Sequence, residues 1–87
     1  MGKEAAKYKL AVGLEYDSNS PNAPIVGAKG EKLMADELVR LAKRFGIPVV
    51  EKPELAKLLS KVDTDTQIPE AAFKAAALVL AQVEKGK

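Results

Sequence analysis

Residue types that commonly do chemistry are thinly represented in this chain. It has no His, which removes the commonest general base and metal ligand, and no Cys, which excludes thiolate catalysis, disulfides and Cys-ligated zinc. Three features could still serve a site. Gly27-Ala28-Lys29-Gly30-Glu31-Lys32 stands where a strand pattern gives way to a helical one, the place phosphate loops occupy. Its spacing fits neither a P-loop nor a dinucleotide fingerprint, so it reads as a plain strand-to-helix turn. Asp63 and Asp65 could ligate a metal, but a calcium loop needs more oxygen ligands and a bidentate Glu. Turn chemistry suits Asp63-Thr64-Asp65-Thr66 better. The lysines are dispersed among acids, as on a solvated face rather than a nucleic-acid surface. No catalytic residue, cofactor or metal ligand is expected.

Elements that would have to position any site follow from the periodicity. Eighty-seven residues amount to one small domain, with 47% hydrophobic and 30% charged residues and a net charge of +2. That balance leaves little attraction for nucleic acid or anionic membrane. No stretch approaches the ~18–20 apolar residues of a membrane span, so the chain reads as cytoplasmic. Residues 1–8 read as a flexible N-terminal segment and residues 9–87 as the domain. Leu10, Val12, Leu14 and Tyr16 alternate with Ala11, Gly13 and Glu15, the pattern of a half-buried strand. A Ser/Asn/Pro-rich loop follows, then the apolar run Ile25-Val26-Gly27-Ala28, a second strand that Lys29-Gly30 should end.

Met34, Leu38, Leu41 and Phe45 set a helical stripe over 31–45, with Gly46 placed for a positive-φ cap. Ile47-Pro48-Val49-Val50-Glu51 reads as a third strand. Pro53 opens a second helix whose apolar face is Leu55, Leu58, Leu59 and Val62. Pro69 opens a third, with Phe73, Ala76, Leu80 and Val83 as its core stripe. The predicted class is α/β, a small mixed sheet of about three strands backed by three or more helices in the order β-β-α-β-α-α.

Four blocks carry a more specific likeness: Ala11 to Asp17, Ala23 to Gly30, Gly46 to Ala56, and Ile68-Pro69-Glu70. In this order and spacing they resemble the C-terminal cytoplasmic domain of the FlhB/YscU family, the switch proteins of flagellar and type III secretion export. The resemblance implies a non-enzymatic component or accessory of an export apparatus. Its implied partners are apparatus proteins, export substrates or their chaperones, and the membrane part of a full-length relative. It also implies location at the cytoplasmic face of the inner membrane through those partners.

Three departures from the family pattern accompany the likeness. Family members cleave themselves at an Asn-Pro-Thr-His motif just before the first block, where this chain has Ala6-Lys7-Tyr8-Lys9, so no autocleavage is expected. The family's membrane helices and the strand before the motif have no counterpart, as in a stand-alone version of the cleaved fragment. Thr64-Asp65 stand where the family usually carries an apolar residue and Gly. The resemblance further implies a small apolar pocket for export substrates at Ala23, Pro24, Ala77 and Leu80, although Leu80 taken alone also suits the core stripe. The alternative reading is a small RNA-binding domain of the ribosomal kink-turn-binding class, suggested by helix, Gly-Ile-Pro-Val-Val and helix. This chain lacks that class's Asn-Glu and Thr-Lys pair after the first strand.

Overall fold

A computed structural model describes residues 6–17 and 19–85. Strands β1 (Leu10–Glu15) and β2 (Ile25–Glu31) form an antiparallel pair. Three helices follow: α1 (Leu33–Arg44), α2 (Pro53–Leu59) and α3 (Phe73–Lys85), the last entered through a 3-10 turn at Glu70–Ala72. The α/β class and the helix order therefore agree with the periodicity.

Register explains how one thin sheet carries helices on both faces. Val12 lies opposite Lys29 and Leu14 opposite Val26, while Ala11 lies opposite Gly30 and Gly13 opposite Ala28. Gly27 is the extra residue of a bulge, so Val26 falls on the same face as Val12 and Leu14 despite its odd spacing from Lys29. Val12, Leu14 and Val26 join Leu55 and Leu59 of α2, Ile68, and Ala72 and Ala76 in the main core. The opposite face, built from Ala11, Gly13, Ala28 and Gly30, carries almost no side chain, and α1 settles closely onto it. A Cβ on Gly30 would lie 3.0 Å from Met34 Cβ and 3.1 Å from the Met34 carbonyl carbon.

Such close seating turns α1 away from the expected orientation. Ala35 and Val39 are its buried residues, whereas Met34 and Phe45 are 64% and 71% exposed. The larger side chains of the expected stripe are displaced to the flanks because a face of Gly and Ala accepts only small neighbours. The helix ends as Gly46 requires: its φ is 73°, Gly46 N–H donates to the Lys43 carbonyl and Ile47 N–H to that of Ala42.

Two strand expectations are corrected. β2 runs through Lys29 and Gly30 to Glu31 instead of ending at them, because β1 pairs with it along that length. Residues 47–51 form no strand: Pro48 has no N–H to give, and among the described residues no neighbour pairs with the segment. The third rung comes from 65–68 instead. Ile25 bridges Gln67, Val26 N–H donates to the Thr66 carbonyl at 2.9 Å, and Asp65 N–H to the Val26 carbonyl at 2.7 Å. Asp65 makes this approach at φ 66°, the left-handed conformation that glycine adopts most easily.

Lys29 ties β2 to the turn that follows α2. On the α2 side of the sheet its Nζ donates to the carbonyls of Ser60 (3.1 Å) and Val62 (2.6 Å), a cation at a helix C-terminus. Part of the segment expected to be flexible is also held: the Asp36 carboxylate accepts from Lys7 N–H and Tyr8 N–H at 2.9 and 2.8 Å. Residues 1–5 of that segment lie outside the described residues.

Candidate functional site

The loop between the strands is shaped by its own short polar side chains. Asn19 N–H donates to Asp17 Oδ1, Ser20 N–H to the Asp17 carbonyl, and Asn22 N–H to Ser20 Oγ. These turns deliver Ala23 and Pro24 to the start of β2. There the Pro24 carbonyl accepts from Ile68 N–H at 3.0 Å, fixing the loop beside the entry to α3.

Helix α3 presents two adjacent stripes. Ala72 (in the entering turn), Ala76, Val79 and Val83 turn toward the core or are half-buried. The neighbouring stripe, Phe73, Ala77, Leu80, Ala81 and Glu84, faces the loop across a groove of about 570 Å³. The four residues that the family resemblance implies for a pocket, Ala23, Pro24, Ala77 and Leu80, line this one groove. Buried Ile68 and Ala76 form its floor. Ala77 contributes a methyl where a longer residue would fill the space, and Leu80 is half-buried between groove and core.

Several lining residues escaped the sequence reading. Tyr16 was assigned to the buried side of the first strand and Phe73 to the core, yet they are 45% and 46% exposed and flank the groove. Asn22, Gln67 and Glu84 add polar groups at its margin. The 73-77-80-84 spacing was an available signal, a second helical stripe one step round from the core stripe. This size and lining suit a few apolar side chains of a bound segment, held by polar groups at the edges. Asp63 and Asp65 sit apart from it, in a turn braced by Thr66 Oγ1 donating to the Asp63 carbonyl. Lys29 faces the end of α2 and not an anion site.

The architecture is thus a thin antiparallel sheet between α1 and the α2–α3 layer, with an apolar groove between the interstrand loop and the last helix. The FlhB, HrpN, YscU and SpaS family model matches residues 8–83, and the chain belongs to that family. It is 35% identical over 83 residues to the uncharacterized protein YlqH of Bacillus subtilis, covering 95% of this chain and 89% of that one. It is 39% identical to the flagellar biosynthetic protein FlhB of Aquifex aeolicus over 85% of this chain but 21% of that one. The chain thus spans about a fifth of the full FlhB protein. Among solved structures, the PscU C-terminal domain superposes with a TM-score of 0.80 at 31% identity, covering 86% of this chain and 96% of that domain. The cytoplasmic domain of FlhB from Shewanella putrefaciens gives 0.79 at 39% identity, covering 85% of this chain and 60% of that one. The structure is that of the FlhB-type C-terminal cytoplasmic domain. The family match gives no support to the kink-turn RNA-binding alternative.

Among the described residues no helix is long and apolar enough to cross a membrane.

Proposed function

We propose that the chain acts as a non-enzymatic, substrate-receiving domain of a flagellar or type III export apparatus, working in the cytoplasm against the apparatus at the inner membrane. The observation that carries this reading is the convergence of Ala23, Pro24, Ala77 and Leu80 on one apolar groove in a member of the FlhB-type family. The groove receives a short apolar segment of an export substrate or its chaperone, and the rest of the domain contacts other apparatus proteins. Autocleavage plays no part, because no Asn-Pro bond exists anywhere in the sequence and Ala6-Lys7-Tyr8-Lys9 offers no Asn side chain to cyclise.

A host strain test follows. Deleting the gene should alter the amount or order of exported proteins, and re-expression of the natural chain should restore it. Ala77→Gln, which plugs the groove from an exposed helical position, should restore nothing while folding normally. Unchanged export in the deletion strain, or full rescue by Ala77→Gln, would count against the reading.

A further inference from the structure

β1 has one satisfied edge and one open edge. Lys32 N–H donates to the Lys9 carbonyl, so Lys9 and Lys32 form a bonded pair; alternation then directs the backbone groups of Ala11 and Gly13 toward β2 as well. Val26 turns its own N–H and carbonyl toward 65–66, which leaves Leu14 opposite it directed outward. The N–H and carbonyl groups of Leu10, Val12 and Leu14 therefore point away from β2. Among the described residues no other backbone group bonds to them. A row of this kind is a template for another strand.

The sequence along the edge is self-complementary. Centred on Val12, an antiparallel copy sets Lys9 against Glu15, Leu10 against Leu14, Ala11 against Gly13 and Val12 against itself. Basic meets acidic, large apolar meets large apolar, and small meets small. Lys7 and Asp17 repeat the opposition just beyond the strand. Neither Lys9 nor Glu15 has an ion-pair partner among the described residues, where Glu37–Arg40 is the pair formed. The outward groups fall in phase too. Leu10, Val12 and Leu14 of one copy meet Leu14, Val12 and Leu10 of the other as bonded pairs, while Lys9 and Glu15 meet at a non-bonded position, where side chains lie closer.

We infer that two copies of this chain associate through the open edge of β1. They form a four-stranded antiparallel sheet, β2-β1-β1-β2, about a two-fold axis at Val12. The contact is isologous, so each copy supplies the same edge and the assembly closes at two. This inference is independent of the export reading, since it uses only β1 and its charges.

Sedimentation equilibrium over a concentration series tests it. The natural chain should approach twice its 9.3 kDa mass, and the amides of Leu10, Val12 and Leu14 should gain hydrogen-exchange protection as concentration rises. Lys9→Glu or Glu15→Lys alone places like charges at both symmetric contacts and should weaken association about tenfold. Mixing the Lys9→Glu chain with the Glu15→Lys chain restores opposite charges across the axis and should produce a heterodimer as tight as the natural homodimer. The double variant Lys9→Glu/Glu15→Lys should also self-associate normally. A chain that stays monomeric up to about 1 mM overturns the inference. So does a dimer indifferent to the single reversals, or a mixture that fails to pair.

Discussion

Close seating of α1 on a nearly bare strand face makes a quantitative prediction at Gly30. An added Cβ would meet Met34 Cβ at 3.0 Å, the carbonyl carbon at 3.1 Å and the oxygen at 3.2 Å, mostly helix backbone that cannot swing aside. Gly30→Ala must therefore lift α1 or bend β2, an overpacking cost of about 1–3 kcal/mol. Against this stands a gain of about 0.5–1 kcal/mol from the smaller backbone entropy of Ala in a strand. The net expectation is a loss of about 0–2.5 kcal/mol centred near 1 kcal/mol, the central value being roughly 4–8 °C in melting temperature for a domain this size. Gly13 supplies the control on the same face: the nearest atoms to its added Cβ, all of Ala28, lie at 3.8–3.9 Å, ordinary contact. Gly13→Ala should be neutral or up to about 1 kcal/mol stabilising. Thermal and urea unfolding followed by far-ultraviolet circular dichroism measure both. Equal effects of the two substitutions, or a Gly30→Ala chain as stable as the natural one, would refute the proposed seating of α1.

Other consequences are simpler. Lys29→Met keeps the stem but removes the cation from the end of α2, and should cost about 1 kcal/mol in urea unfolding, less at high salt; a loss unaffected by salt would mean packing rather than charge is involved. Asp65→Gly relieves the positive-φ position beside Val26 and should stabilise the domain by about 0.5–1 kcal/mol, whereas destabilisation would show that the Asp side chain holds the turn. Intact mass spectrometry after prolonged incubation should find one undivided 9.3 kDa chain, and a fragment pair arising without protease would contradict the absence of self-cleavage.

What the sequence made legible was whatever depends on local pattern. The first strand, the Gly46 cap and the Pro53 helix start were marked by spacing or by residue type, whereas the four groove residues followed only from the family resemblance. Long-range substitutions of partner were not. Ile47 to Glu51 has strand composition, but strand formation needs a neighbour, and the rung beside β2 was taken by Thr66 and Gln67, at the end of a stretch whose residue types mark a turn. The bulge at Gly27 was equally hidden, because only pairing shows that one glycine is extra. α1 was misoriented for a related reason: the hydrophobic pattern favoured Met34 and Phe45, while the face opposite accepts only Ala35 and Val39. Phe73 was assigned to the core because its 73-77-80-84 stripe runs beside the core stripe, and periodicity does not say which apolar surface each stripe borders.

The substrate groove is the central claim, and amide chemical shifts report on it directly. Isotope-labelled chain would be titrated with apolar peptides taken from along the host's export substrates. Shift changes should concentrate at Ala23, Ala77 and Leu80, Pro24 having no amide, and should weaken about tenfold in Ala77→Gln as the added side chain occupies the apolar site. Saturating shifts centred on the exposed flank of α1 at Met34 and Phe45, or binding that Ala77→Gln leaves intact, would place substrate recognition elsewhere and contradict the account.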